Sequence, residues 1–186
     1  MILIIDFGSS KVPDIENCID EFDDFKTVHY LDFEEKLLDN AAGVILSGAP
    51  VLITEQDIAE QLEKTLWLKN TVLPVLGICF GHQIMGIHFG AFGTRIREDR
   101  DWQEIEVIKE SPLFDKLPTV FEMLEDHCET ISIPTDFDLI AISDVCINEA
   151  MQHKTKPLFG VQFHPETSGT FGRTVFENFF KIVNTK

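Results

Sequence analysis

Apolar residues fall along this chain in two kinds of run. Short, mostly apolar runs at 2–5, 43–46, 75–78 and 158–163 are too brief for helices and read as strands buried on both faces. Between them, the stretches 15–25, 58–68, 80–89 and 171–183 carry apolar side chains at helical spacing. In 58–68 these are Ile58, Leu62, Leu66 and Trp67, and in 80–89 they include Phe80, Ile84 and Ile87. A further strand is expected at 27–31. Strand and helix therefore alternate through the first half, which is the pattern of a parallel sheet wound on both sides by helices.

The middle of the chain changes character. Between 93 and 151 the apolar segments are short and strand-like, at 104–108, 120–124, 139–143 and 147–152. Turn signals such as Ser111-Pro112 and Leu117-Pro118 separate them. The pattern predicts an α/β fold: a mostly parallel, doubly wound sheet with helices on both faces and a small antiparallel extension. No repeat, linker or low-complexity segment interrupts it, so one domain over residues 1–186 is expected.

Charge and cysteine content narrow the function. The formal net charge is −17, which argues against nucleic acid or an anionic membrane as partner, since both call for basic patches. Cys18, Cys79, Cys128 and Cys146 show no paired or metal-type spacing. The first residues lack a basic segment and a long apolar stretch, so a secretory leader is not expected and the protein is read as cytoplasmic with reduced thiols.

One cysteine stands in a special setting. Gly77-Ile78-Cys79-Phe80-Gly81 joins the predicted strand 75–78 to the predicted helix 80–89. A strand, a sharp turn and a helix with the reactive residue at the turn is the arrangement of a nucleophile elbow. Glycines two residues before and after let the backbone cross closely there. A helix N-terminus also favours the thiolate form of the sulfur. The competing reading, a buried structural cysteine, lacks any reason for the two glycines.

A cysteine nucleophile needs a base, and the base needs orienting. The chain offers His164-Pro165-Glu166 at the end of the last predicted strand. If this stretch stays extended, His164 and Glu166 point the same way and the carboxylate can hold the imidazole. Two backbone N–H groups would serve the oxyanion: that of Phe80, just after the nucleophile, and one from the small-residue loop Ser47-Gly48-Ala49-Pro50.

Taken together, Gly77-Ile78-Cys79-Phe80-Gly81-His82-Gln83, Ser47-Gly48-Ala49-Pro50 and Gly160-Val161-Gln162-Phe163-His164-Pro165-Glu166 resemble the class I, triad-type glutamine amidotransferases. Within that family they look most like the amidotransferase part of GMP synthetases, which the opening Ile4-Ile5-Asp6-Phe7-Gly8-Ser9 and the tail Asn178-Phe179 also resemble. The resemblance implies the family's flavodoxin-like α/β fold and hydrolysis of the side-chain amide of L-glutamine, with no cofactor and no metal. Cys79 would attack, His164 would move protons, Glu166 would orient His164, and the N–H groups of Ala49 and Phe80 would hold the oxyanion. Gly48, Gln83, Asp126, His127 and Cys128 would bind the substrate, an acid such as Asp126 or Glu129 facing its α-ammonium group.

The chain departs from the family at three places. It has Gly48-Ala49 where two glycines are usual, Asp126-His127-Cys128-Glu129 where serine-histidine-glycine-aspartate is usual, and Ser10 where glutamine is usual. It contains no ATP-binding synthetase half, so the partner that the resemblance implies is an ATP-pyrophosphatase synthetase on a separate chain. A free-standing hydrolase of another γ-glutamyl compound and a non-catalytic regulatory relative stay open as alternatives.

Overall fold

The computed structural model describes residues 1–185. The chain runs β1 (Ile2–Asp6), α1 (Val12–Asp20), β2 (Phe25–His29), β3 (Gly43–Leu46), α2 (Ala59–Lys64), β4 (Val75–Ile78) and α3 (Phe80–His88). It continues through β5 (Gly93–Asp99), β6 (Trp102–Val107), β7 (Val120–Leu124), β8 (His127–Ile131), β9 (Phe137–Ile142), β10 (Ala150–His153), β11 (Leu158–Val161) and α4 (Gly169–Asn184). Nine strands form one sheet in the order β2-β1-β3-β4-β11-β10-β9-β6-β7. From β2 to β11 the neighbours are parallel, and from β11 to β7 they are antiparallel. β5 and β8 make a separate antiparallel pair.

Alternation along the inner strands explains why they are apolar throughout. Ile2, Ile4 and Ile45 pack on one face against Ile15 and Ile19 of α1 and Val175, Phe176 and Phe179 of α4. Leu3, Ile5, Val44 and Leu46 pack on the other face against Phe80, Ile84 and Met85 of α3. Both faces of the parallel half are covered, so neither tolerates polar side chains. The carboxyl ends of β1, β3, β4 and β11 meet at one edge, which is where open α/β sheets place their sites.

Several elements differ from their sequence expectations. α1 starts earlier than expected because Pro13 suits the first turn of a helix, where its missing N–H costs nothing. β2 accordingly lies two residues earlier than the predicted strand. The helix expected at 58–68 breaks at Thr65, whose hydroxyl donates back to the Gln61 carbonyl at 2.6 Å, and continues as a 3-10 turn over Leu66–Lys69. Leu66 is left 50% exposed rather than on the buried face. β5 and β8 are additions to the expected strands, since Arg95, Arg97, Glu98, Asp99 and Glu129 hide a strand pattern. The strand expected at 147–152 begins only at Ala150.

The fold puts backbone against backbone where β4 turns into α3. A methyl group added at Gly81 would overlap the Leu46 carbonyl oxygen, and one at Gly77 would lie 2.6 Å from the Gly81 oxygen. Neither partner is a side chain that can swing away. We expect Gly81→Ala to destabilise the protein by about 1–3 kcal/mol or more. Val72→Ala, at a position 83% exposed, should stay within about 0.5 kcal/mol of the parent. Denaturant titration of both variants checks this, and equal midpoints would contradict it.

Candidate active site

Cys79 sits between β4 and α3 with φ 50° and ψ −105°. A non-glycine residue in this region carries strain of order 1–3 kcal/mol and stays there only if its surroundings hold it. Three backbone bonds do so. The Cys79 N–H donates to Val161 at 2.8 Å, the Gly81 N–H to Ser47 at 3.1 Å, and the Gln83 N–H to the Cys79 carbonyl at 3.0 Å. The turn is thus tied to β11 on one side and to the end of β3 on the other. It leaves the Phe80 N–H at the first turn of α3, where a helix has no internal acceptor for it.

His164 and Glu166 come together, but not in an extended stretch. Pro165–Thr167 forms a 3-10 turn, and the turn brings the Glu166 carboxylate to 2.7 Å from His164 Nδ1. Both side chains are almost fully buried. The His164 N–H donates to the Leu124 carbonyl at 2.9 Å, and the Ser168 hydroxyl donates to the His164 carbonyl at 2.6 Å. With Nδ1 committed to Glu166, Nε2 is the nitrogen left for the sulfur. Burial by itself would push the imidazole pKa down. The Glu166 carboxylate and the Cys79 sulfur facing it outweigh burial and raise the pKa to about 10.

Gly48 lies between the two. A Cβ built on it would be 3.3 Å from His164 Cε1 and 3.7 Å from Cys79 Cβ, so its missing side chain lets the loop approach both. Ala49 and Phe80 line a cavity of about 510 Å³ together with Cys79, His164, Gln83 and Asp126. Ala49 is not among the non-glycine residues with positive φ, so its departure from glycine carries no backbone strain. Among the described residues neither the Ala49 nor the Phe80 N–H is taken by a backbone acceptor.

The substrate stretch differs in detail from expectation. Asp126 lines the cavity and pairs with Lys11 and, at 3.6 Å, with Arg100. Cys128 also lines the cavity. Glu129 does not offer a free carboxylate: it accepts from the N–H of Ile53 at 2.6 Å and of Thr54 at 3.2 Å, stapling the loop that follows β3. His127 borders the cavity, but its Nδ1 bonds to the Glu129 carbonyl at 3.0 Å and its Nε2 lies 3.1 Å from the Glu125 carboxylate. Gln83 donates to the Glu129 carbonyl and to Gln162 Oε1 at 3.1 Å. Gln162, to which the sequence motif assigns no role, in turn places its Nε2 3.5 Å from the Cys79 sulfur. Its polar side chain within the buried end of an apolar run is the signal that could have found it. Lys11 and Arg100 carry no such signal, because their roles depend on loops meeting across the cavity.

The sequence matches the family described as glutamine amidotransferase class-I over residues 3–183. It is 33% identical over 201 residues to a subunit of the glutamine-hydrolysing GMP synthase of Methanocaldococcus jannaschii, covering 100% of this chain and 99% of that one. It is 34% identical over 196 residues to the subunit of the same description in Pyrococcus furiosus, covering 98% of each. A crystal structure from Thermoplasma acidophilum, provisionally described as the same GMP synthase subunit, superposes with a TM-score of 0.91 at 30% identity, over 99% of this chain and 94% of that one. A glutamine amidotransferase from Thermotoga maritima, 19% identical, shares the fold with a TM-score of 0.78 over 98% and 83% of the two chains. The chain belongs to the class I glutamine amidotransferases and is an enzyme of that family.

Two outcomes follow for the buried pair. If the imidazole moves protons and the carboxylate positions it, His164→Ala should lower turnover at least about tenfold further than Glu166→Ala. Steady-state kinetics on matched, folded variants check this, and a deeper loss in Glu166→Ala would reverse the roles. The second outcome concerns pH. A histidine pKa raised from 6.5 to about 10 in the folded state stabilises the fold fully below pH 6.5, and that contribution is lost as the pH rises through about 10. Glu166→Gln removes the principal raising charge, so the fall in stability over this window should be shallower in the variant. Identical pH–stability curves would contradict the assignment.

Proposed function

We propose that this chain hydrolyses the side-chain amide of L-glutamine and supplies the ammonia to a partner synthetase of the GMP synthetase kind. The observation that carries the reading is Cys79, held at positive φ on the elbow, facing a buried His164–Glu166 pair across Gly48. Glu166 and the sulfur both favour a protonated imidazole, which stands beside the Cys79 sulfur that attacks the amide carbon. The N–H groups of Ala49 and Phe80 receive the oxyanion. His164 gives its proton to the departing ammonia, leaving a γ-glutamyl thioester. It then takes a proton from the water that cleaves the thioester, releasing glutamate and freeing the Cys79 sulfur.

The cavity suits the amino-acid end of glutamine. In a chain of net charge −17, its lining is balanced: Lys11, Arg95 and Arg100 stand among Glu98, Asp126 and Glu129. A zwitterion meets both signs there, with Asp126 for the α-ammonium and Lys11 or Arg100 for the α-carboxylate. Lys11 and Asp126 pair with each other in this structure, so substrate entry exchanges one ion pair for two. Gln83, His127 and Cys128 also line it, and Gly48 sits beside His164 and Cys79 at its base, where it would let the substrate's amide approach.

The partner reading rests on the relatives described as one subunit of a glutamine-hydrolysing GMP synthase, which this chain matches over nearly its whole length. The partner would be an ATP-pyrophosphatase that activates the ammonia acceptor. Four free thiols and the family fit a reducing, cytoplasmic setting. Among the described residues no helix is long and apolar enough to cross a membrane. Residues 1–186 would act as one amidotransferase domain.

A chain that feeds ammonia to a partner gains little from releasing it alone. We expect low glutaminase activity from the isolated protein and a rise when a cognate synthetase and its acceptor are added. Steady-state glutamate release with and without the partner checks this. Full turnover alone, in the ordinary enzyme range of roughly 1–1000 per second, would contradict the partner reading and leave a free-standing hydrolase.

A further inference from the structure

Behind the cavity wall lies a second group of chemistry-bearing side chains that glutamine hydrolysis does not use. Glu125 comes from the turn between β7 and β8, His127 from β8, and Glu149 from the segment leading into β10. Their relative exposures are 1%, 8% and 0%. One ligand atom from each lies within 4.8 Å of the others. Neither Glu125 oxygen, nor Glu149 Oε2, nor His127 Nε2 has a hydrogen-bond partner among the described residues. Every other polar atom of the group is engaged: Glu149 Oε1 accepts from the Ser143 hydroxyl at 2.6 Å, and His127 Nδ1 bonds to the Glu129 carbonyl at 3.0 Å.

The histidine gives the group its meaning. A carbonyl oxygen only accepts, so His127 Nδ1 must carry the proton. In the neutral ring Nε2 then presents a lone pair, and that lone pair is turned towards a carboxylate oxygen 3.1 Å away. Two acceptors facing each other in a dry interior repel unless a proton or a metal cation sits between them. An imidazole that donates one N–H to a backbone carbonyl and turns its other nitrogen to a buried carboxylate is oriented as metal-binding histidines are. Asp99, opposite His127 in the β5–β8 register, also leaves Oδ2 unpartnered and buried among the described residues.

We propose that Glu125, His127 and Glu149 form a binding site for a divalent transition cation, zinc first among them. Two carboxylates balance the charge of one dication, and oxygen with imidazole nitrogen suits zinc, whose bonds to such atoms run at about 2.0–2.2 Å. The three donor atoms, within 4.8 Å of one another, would draw together onto one ion at such bond lengths. The ion would act on the fold around the active site rather than on the amide. The Gln162 N–H donates to the Glu149 carbonyl at 2.7 Å, and the His164 N–H to the carbonyl of Leu124, next to Glu125. A cation joining Glu125 to Glu149 therefore pins the β7–β8 turn to the segment that carries Gln162 and His164.

The test uses the full chain with Cys79→Ala, which removes the reactive thiol as a competing ligand. After chelator treatment the protein is equilibrated with zinc chloride, passed through a desalting column and measured for metal content and zinc X-ray absorption. We expect about one zinc retained per chain, an inner shell of oxygen and nitrogen without sulfur, and at least about tenfold less retained zinc in Glu125→Gln and Glu149→Gln. No retained zinc, a sulfur-containing shell, or undiminished retention in the folded double variant would overturn the site. If the variants do not fold, the absorption shell of the parent decides. Persistence of protonated carboxyl bands in its infrared spectrum at saturating zinc would show a shared proton there and would also overturn it.

Discussion

The structure depends on holding one cysteine in a backbone conformation that cysteines avoid. Cys79 reaches φ 50° because the strand before it and the helix after it are each fixed from outside. β4 is hydrogen-bonded on both sides, by β3 and β11, and α3 is pressed onto β3 closely enough that only glycine fits at 81. The two apolar layers on the faces of the sheet supply the energy that this turn stores. Other features of the site follow from it: the sulfur stands clear of the sheet edge, the Phe80 N–H stays free, and β11 delivers His164 beside the elbow.

Electrostatics then separate two buried carboxylate groups that look alike in composition. Glu166 faces His164 at 2.7 Å, and the pair keeps a proton on the imidazole against the cost of burial. Glu125 and Glu149 lie close to each other and to His127 Nε2, and neither Glu125 oxygen nor Glu149 Oε2 has a hydrogen-bond partner among the described residues. The first arrangement is complete as it stands and suits proton transfer. The second calls for a cation or protons. Between them runs the wall formed by 126–129, in which His127 borders the cavity while its buried Nε2 lies 3.1 Å from the Glu125 carboxylate.

Much of this is legible in the sequence, for identifiable reasons. A short run apolar at every position has one physical meaning in a parallel sheet covered on both faces, so β1, β3, β4 and β11 are readable almost to the residue. The elbow is readable because the two glycines answer a steric need that nothing else at that spacing would. His164 and Glu166 are rightly brought together but through the wrong backbone, since Pro165 starts a 3-10 turn rather than prolonging a strand. β5 and β8 stay hidden because one sheet of two charged strands shows little apolar alternation. Glu129, expected at the substrate, serves the backbone of Ile53 and Thr54, a pairing set by tertiary packing alone. Glu125 and Glu149 are far apart in sequence, and only the antiparallel extension places them within reach of one ion.

The central claim is that Cys79 is the nucleophile for glutamine, and a glutamine-mimicking diazo-ketone tests it most directly. Peptide mass mapping after inactivation should find the label on Cys79 alone. Cys18 and Cys146, whose thiols burial pushes up to about 11 and well up respectively, should stay unmodified, as should Cys128. Label spread over several cysteines, or activity surviving in Cys79→Ala, would contradict the account.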